Sequence, residues 1–213
     1  MNMPNGGVTT PKEIEECSFA IISRELDDMG IVLDAETAPI VKRVIHTTAD
    51  FDYAHNLRFS PDAVTAGREA LREGIPLITD TQMARAGINR KALQPFGVQI
   101  HCHIADDEVA ATAAALGCTR SRAAVDKAAA LWGDAVFVVG NAPTALFRIC
   151  ELVTEGRLRP RLIIGTPVGF VNVTESKEAL AASGVPHIVA AGRKGGSNVA
   201  AAICNALAYS LQA

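Results

Sequence analysis

Apolar residues in the first third of the chain recur at the three- and four-residue spacing of amphipathic helices. Thr10 and Pro11, with Glu13 three residues after Thr10, have the pattern of a helix N-cap with a capping box. We predict a helix from Thr10 to about Met29 that buries Ile14, Cys17, Ile21, Ile22 and Leu26.

A second helix is predicted to begin at Asp34 and to carry Ile40, Val41, Val44 and Ile45. A third is predicted to open at Ser60-Pro61-Asp62 and to end at Gly74.

From residue 76 onwards, short β-rich apolar runs alternate with helical stretches. The predicted strands are residues 76–79, 98–104, 135–139, 161–164 and 187–190. The predicted helices around them are residues 81–86, 107–116, 121–132, 143–155, 175–183 and 197–211. This alternation predicts right-handed crossovers and a three-layer α/β/α fold with a mainly parallel central sheet, preceded by the N-terminal helices. We expect residues 1–10 to be a flexible N-terminus and residues 11–213 to form a single α/β domain.

Composition limits the classes of partner. Hydrophobic residues make up 49% of the chain and aromatic residues 5%, so the core consists mainly of small and aliphatic side chains. A net charge of −3 gives no electrostatic argument for nucleic acid or for an acidic membrane surface. No apolar run reaches the roughly 20 residues that a membrane span needs, and residues 1–10 lack the apolar segment of a signal peptide.

The five cysteines are widely separated, odd in number and free of any CxxC or zinc-ligand spacing. We interpret them as buried thiols in a reducing compartment, and we expect a cytoplasmic protein.

Polar or glycine-rich segments follow most of the predicted strands. They are Asp80, Gly140-Asn141, Gly165-Thr166-Pro167 and Gly192 to Ser197. In open parallel sheets the ligand lies beyond the carboxyl ends of the strands. We therefore expect these four segments to converge on one edge of the sheet and to form a binding site.

The segment from Gly192 to Ser197 has the features of an anion-binding loop. Its glycines permit close backbone approach, Arg193 and Lys194 add positive charge, and Ser197 is expected to cap the last helix. The alternative is a tight strand-to-helix turn. The segment matches neither the P-loop nor the GxGxxG pattern, which disfavours nucleotides and a Rossmann-type dehydrogenase.

Three further motifs each allow two interpretations. The apolar loop Gly165 to Phe170 either covers a flat hydrophobic ligand or only turns the chain. Asn141 and Thr174 are expected to be N-caps, and Asn141 could also contact a ligand. His101 and His103 have a spacing that can bind metal, but without a third ligand we interpret them as packed or hydrogen-bonded side chains on a central strand.

His46 is the candidate acid. On a continuous helix Lys42 and Asp50 would be its i−4 and i+4 neighbours, and their opposite charges would set its acidity near neutrality. A lone histidine is more often structural. No GxSxG, HExxH or nucleophile-base pair is present, so an enzyme with this sequence would act by acid catalysis and positioning.

The motifs taken together resemble the precorrin-8X (cobalt-precorrin-8) methylmutase family. The resemblance is carried in order and at suitable spacings by residues 14–19, 42–50, 80–83, 86–88, 119–121, 140–146, 165–170, 175–178, 192–197 and 205–207. It implies an isomerase of cobalamin biosynthesis that moves a methyl group from C11 to C12 of a corrin precursor, giving hydrogenobyrinic acid or its cobalt counterpart. It also implies a homodimer, no redox cofactor, no methyl donor and no metal ligands on the protein.

The family's catalytic histidine corresponds to His46, whose implied role is to protonate, or hydrogen-bond to, the ring nitrogen near C11. The substrate is a flat tetrapyrrole with many carboxylates. The residues that we expect to bind it are Ser18, Arg43, Asp80, Met83, Thr119, Arg120, Asn141, Thr144, Thr166, Gly169, Phe170, Ser176, Lys177, Arg193, Lys194, Gly195 and Ser197. The alternative function is a carrier that binds a tetrapyrrole or corrinoid without chemistry.

Overall fold

The chain folds around one six-stranded sheet, as seen in a computed structural model that describes residues 10–212. The strands are β1 (Leu57–Phe59), β2 (Leu77–Thr79), β3 (Ile100–His101), β4 (Val136–Val139), β5 (Leu162–Gly165) and β6 (His187–Ala190). Their order is β1-β6-β5-β4-β2-β3. All neighbouring pairs are parallel except β1, which pairs antiparallel with β6. The mainly parallel sheet is confirmed.

Helices cover both faces of the sheet. They are α1 (Pro11–Asp28), α2 (Ala38–Thr48), α3 (Tyr53–Asn56), α4 (Ala63–Arg72), α5 (Gln82–Gly87), α6 (Arg90–Leu93), α7 (Asp107–Leu116), α8 (Arg120–Leu131), α9 (Pro143–Thr154), α10 (Val173–Ala181) and α11 (Ser197–Tyr209). A short 3-10 turn, Gln94–Phe96, follows α6.

Successive residues of the central strands supply two separate cores, because side chains alternate across a sheet. Val136 and Val138 of β4 pack with α2, α4 and α11, whereas Phe137 and Val139 pack with α8, α9 and α10. Full burial of each large apolar side chain contributes about 1.5–3 kcal/mol. The two cores confirm the three-layer α/β/α arrangement.

The N-terminal capping box is confirmed. The Thr10 hydroxyl accepts from the Glu13 amide, and the Glu13 carboxylate accepts from the Thr10 amide at 3.1 Å. The predicted burial of this helix is partly wrong. Ile22 and Leu26 are buried, but Cys17 is exposed, and Ile14 and Ile21 are 50% and 43% exposed. The flexible N-terminus predicted for residues 1–10 lies outside the described residues, apart from Thr10.

The predicted strand at residues 98–104 is wrong in length and place. Only Ile100–His101 pairs with β2, and β3 lies at the edge of the sheet because no further strand joins it within residues 10–212. The antiparallel edge strand β1 and the short helices α3 and α6 were not predicted. Within this part of the chain, no helix has the length and apolarity that crossing a membrane requires.

Candidate functional site

The four loops at the carboxyl edge of the sheet converge, as predicted. Asp80, which follows β2, accepts hydrogen bonds from the backbone amides of Gly140 at 2.9 Å and of Asn141 and Ala142 at 2.8 Å. Burial raises the pKa of Asp80, and these three donors oppose the rise. The carboxylate therefore holds the turn between β4 and α9 in place.

The start of α11 lies directly against the end of β4. A Cβ added to Gly140 would come within 2.6 Å of the Ser197 Cα, so only glycine fits there. The hydroxyls of Thr81 and Ser197 are 2.8 Å apart, which joins the start of α5 to the same point. Ser197 is the first residue of α11 rather than its cap: Gly196 is the N-cap residue, with no side-chain cap bond, so that prediction is wrong.

The loop at residues 192–196, here called the glycine loop, is joined to the apolar loop at residues 165–170. The Gly196 amide donates to the Thr166 carbonyl at 2.8 Å, and the Gly169 amide donates to the Arg193 carbonyl at 3.2 Å. The Arg193 guanidinium lies 5.4 Å from the centre of the Phe170 ring. Phe170 is 83% exposed, so this pair presents an aromatic face and a positive charge to solvent.

Lys177 supports the glycine loop from inside. Lys177 is only 2% exposed, and its ammonium donates to the carbonyls of Gly192 and Lys194 at 2.8 Å each. Burial lowers the pKa of Lys177 to about 8. In this arrangement Lys177 fixes the loop backbone.

Lys194 connects the glycine loop to the segment that follows α2. Its ammonium lies 2.6 Å from carboxylate oxygens of both Asp50 and Asp52, and these hydrogen bonds raise the pKa of Lys194. The same contact with Lys194 lowers the pKa of Asp50. The expectation that Asp50 is a helical neighbour of His46 is wrong, because α2 ends at Thr48 and Ala49 adopts a left-handed conformation with φ 53°.

The His46 side chain is exposed near the end of α2. Its ring stacks on Phe19 of α1, with centroids 5.3 Å apart and planes inclined at 21°. It lines a groove of about 250 Å³ between α2, α5 and α11. The other residues that line the groove are Arg43, Thr47, Gly87, Asn198, Ala201, Ala202, Asn205 and Tyr209.

Arg43 is held between two aromatic rings beside this groove. Its guanidinium carbon lies 4.7 Å from the Phe19 ring centre and 4.9 Å from that of Tyr209, and the group also pairs with Glu15. Lys42 donates to the Ser23 hydroxyl at 2.9 Å. A second depression of about 450 Å³ shares Arg43 and Tyr209 with the His46 groove and adds Lys42 and Arg68. The groove therefore continues into a basic and aromatic surface.

Of the other residues expected to bind substrate, some are exposed to solvent and some are buried or hydrogen-bonded within the protein. Met83 on α5 is 71% exposed, and Arg120 at the start of α8 is exposed. Thr119 caps α8 and donates to the Thr144 hydroxyl at 2.9 Å. Ser18 donates to the Ile14 carbonyl of its own helix. Ser176 is fully buried and bonds to the Val173 carbonyl, so its hydroxyl does not face the solvent.

Two predicted helix caps are wrong. The N-cap residue of α10 is Asn172, with φ 58°, and not Thr174. The N-cap residue of α9 is Ala142, with no side-chain cap bond, because the amides at this turn bond to Asp80 instead. Asn141 is exposed, which leaves its side chain available to a ligand.

His101 and His103 are packed against Trp132, as one of the two interpretations predicted. Their rings lie 4.4 Å and 5.3 Å from the indole. His103 Nδ1 lies 2.8 Å from an Asp106 oxygen. Burial, then His103 and Arg85, lower the pKa of His101. Within residues 10–212 no group of three or more His, Cys, Asp or Glu side chains has an arrangement that could hold a metal ion.

Several residues of the groove were not identified from the sequence. Asn198, Ala201, Ala202, Asn205 and Tyr209 form a stripe along one face of α11, spaced by three and four residues. Polar residues and a tyrosine at helical spacing on an otherwise apolar helix were the signal that could have revealed them. Asn205 and Phe19 belong to segments that carry the family resemblance, but neither was named as a site residue, and the stacking of Phe19 on His46 depends on how α1 packs against α2.

The fold and the groove together define an α/β enzyme with an exposed imidazole between an apolar wall and basic side chains. The family model for precorrin-8X methylmutase (CbiC) matches residues 13–210. A cobalt-precorrin-8 methylmutase of Salmonella typhimurium is 48% identical over 211 residues, covering 96% of this chain and 98% of that protein. A precorrin-8X methylmutase of Pseudomonas aeruginosa is 44% identical over 193 residues, covering 90% and 91%.

Comparison with solved structures points to the same family. The structure described as precorrin-8x methyl mutase from Thermus thermophilus has a TM-score of 0.83 and 42% identity, covering 92% of this chain and 96% of that one. The chain therefore belongs to the precorrin-8X methylmutase family, the isomerases that transfer a methyl group within one molecule in cobalamin biosynthesis.

Proposed function

We propose that the protein moves the methyl group from C11 to C12 of precorrin-8X or cobalt-precorrin-8, with His46 as the proton donor to the ring nitrogen near C11. The observation that carries this proposal is the exposed His46 imidazole, stacked on Phe19 at the edge of an open groove. Stacking fixes the plane of the imidazole while leaving it accessible, as transfer of a proton to a bound ring requires.

The reaction needs no other reactant. A proton from His46 on the ring nitrogen draws electrons from the conjugated system and weakens the C11–methyl bond. That bond breaks as the C12–methyl bond forms, and the proton returns to the imidazole, so atoms and electrons balance within the substrate. The protein then has to hold the macrocycle in the reacting geometry and exclude water from the migrating group.

The loops supply groups suited to such a substrate. Phe170 and Val168 offer apolar contact to a flat ring, and they are 83% and 47% exposed. Arg193 and Arg120 can pair with the carboxylates, as can the amides at the start of α11 near Ser197. Lys194 is already engaged by Asp50 and Asp52, so we assign it to joining the glycine loop to the segment after His46.

We also propose that the working form is a homodimer. The support comes from α1, where Ile14 and Ile21 are seven residues apart, lie on one face and are half exposed. Apolar side chains at that spacing are typical of a covered helix face. A location in the cytoplasm stays a prediction, supported by the five cysteines, which are all unpaired thiols.

The variant His46→Ala tests the reaction. We expect its isomerisation rate to fall by about 10²–10⁴-fold, the usual contribution of a general acid, while it still binds the pigment. Conversion is followed by the absorption spectrum and by the position of the migrated methyl group in NMR. The matched control is His55→Ala, since His55 is also exposed and lies outside the groove.

Two results would contradict the proposal. An H46A variant with the wild-type rate would remove His46 from the chemistry. A wild-type protein that binds the pigment but never moves the methyl group would favour the carrier.

A further inference from the structure

A second groove, of about 520 Å³, lies between α5, α6 and the edge strand β3. Three cations line it: Arg85 of α5, and Arg90 and Lys91 of α6. No acidic residue lines it, and within residues 10–212 none of these three side chains forms an ion pair. Other basic side chains of the protein, such as Arg122, Arg148 and Arg161, are paired with carboxylates.

Two nitrogens at this groove are buried without a hydrogen-bond partner. They are Nε of Arg85 and Nε2 of His101, and each lacks both a protein partner and contact with solvent in the described chain. Nε2 of the adjacent His103, which does not line this groove, is the third such atom within residues 10–212. Within residues 10–212, the one hydrogen bond of the Arg85 side chain is a long one, 3.4 Å from its terminal nitrogen to the Gln82 oxygen. Buried polar atoms are nearly always satisfied in folded proteins, so the two unsatisfied nitrogens leave hydrogen-bonding capacity unused in the wall of this groove.

The His101 ring is held firmly at this position. It packs on Trp132 with centroids 4.4 Å apart and adjoins the parallel ring of His103 at 6.2 Å. Arg85 is close enough for its charge to act on the imidazole. The groove thus combines a fixed imidazole, a guanidinium beside it and two exposed cations at the rim. Guanidinium groups form their strongest hydrogen bonds with carboxylate and phosphate oxygens.

We infer that the groove between α5, α6 and β3 binds a multivalent oxyanion, held beside the His101 ring by the charge of the Arg85 guanidinium and neutralised by Arg90 and Lys91. This site is separate from the His46 groove, with which it shares no lining residue. Carboxylate and phosphate groups share the required chemistry. Citrate and pyrophosphate are therefore used as the two probes, and their relative affinities identify the class of anion.

The test is calorimetric titration of the whole chain with citrate and with pyrophosphate at low ionic strength. The variant R90Q/K91Q removes two exposed charges, and we expect it to weaken binding at least about tenfold, the loss of one charge-assisted hydrogen bond. The control R58Q/R72Q removes the same charge from two exposed arginines outside the groove and is expected to leave affinity unchanged.

A second measurement separates a site from general charge attraction. In protein labelled with ¹⁵N-histidine, either anion that binds is expected to shift the His101 ring nitrogens and to leave those of exposed His55 unchanged. Equal weakening in both double variants would overturn the inference, and so would an unmoved His101 signal or the absence of binding heat with both anions. Since neither probe is a tetrapyrrole, these outcomes are independent of the reaction proposed for His46.

Discussion

At the scale of single residues, Gly195 shows most directly how the chain is constrained at its loops. Its φ of 158° lies at the margin of the region that favours glycine, and a Cβ there would come within 2.2 Å of the Thr166 carbonyl oxygen. The glycine loop and the apolar loop therefore touch through their backbones. Any side chain at residue 195 would push the two apart.

We expect Gly195→Ala to displace the glycine loop and to lower the free energy of unfolding by about 1–3 kcal/mol, the usual range for forced backbone strain. Pigment affinity should fall as well, because Arg193 moves with the loop. Urea unfolding and absorbance titration measure the two effects. Gly184→Ala is the control: Gly184 also has a positive φ, of 74°, but, its two chain neighbours apart, no atom of residues 10–212 lies within 4 Å of its added Cβ. An equal loss of stability and an unchanged pigment affinity in both variants would contradict the role of close packing.

The sequence predicted the roles of some residues around the site and not of others. The glycine loop was recognisable because two charges lie inside a run of glycines. The role of Lys177 was not, since a lysine at one position of an amphipathic helix gives no sign that it is buried and bonded to two carbonyls. Phe19 and Tyr209 hold Arg43 only through the packing of α1, α2 and α11, which no local pattern contains.

At the scale of helices and strands, the length of a helix decided whether it could be predicted from the sequence. The longer helices were recovered because several apolar positions repeat in each. Helices α3 and α6 have four residues each, which is too short for a helical period to be recognised. The apolar run from Val98 was mistaken for a long central strand, since the partly buried loops on either side of β3 have the apolar composition of a strand.

Helices α8 and α9 are joined by an ion-pair network centred on Glu151. Its carboxylate pairs with Arg122 at 2.6 Å and with Arg148 at 2.8 Å, and Arg148 also reaches Asp126. The hydrogen bonds from Arg122, then those from Arg148, lower the pKa of Glu151 from 4.5 to about 2. A carboxyl group whose pKa is lower in the folded than in the unfolded state stabilises the fold above pH 4.5 and loses that effect as the pH falls towards 2.

We expect Glu151→Gln to lower the free energy of unfolding by about 1 kcal/mol at neutral pH, because Glu151 is partly exposed and solvent screens the pairs. The difference from wild type should shrink as the pH falls from 4.5 towards 2. Urea unfolding at several pH values measures it. Glu178→Gln, on the exposed side of α10, serves as the control. A difference that stays constant across this pH range would show that the ion pairs are not its source.

At the scale of the whole molecule, the carboxyl ends of the parallel strands lie at one edge of the sheet, and the start of α11 lies against the end of β4 there. This arrangement could be predicted, because it follows from the alternation of strands and helices. The antiparallel β1 and the His46 groove could not. The groove lies between α2, α5 and α11, which are far apart in the sequence and meet only in the folded protein.

The proposed dimer makes a prediction at the same scale. We expect the wild-type chain to have twice the 22.4 kDa chain mass in light scattering, and I14E/I21E to have the mass of one chain with reduced isomerisation. Two charges on an apolar interface should abolish association, since each would be buried without a partner. Leu131→Glu, on α8 and 57% exposed, is the control and should remain dimeric. A wild-type chain of monomeric mass would contradict the proposal.

The position of α11 has a consequence for how the protein is made. One wall of the His46 groove comes from residues 38–48 and the opposite wall from residues 197–209. Domains fold during synthesis as their residues leave the ribosome. A growing chain that already contains the histidine, the sheet and most of the helices still has only half of this groove. The protein therefore acquires its groove in one late step, and an incomplete chain ending before residue 197 should neither bind nor convert the pigment.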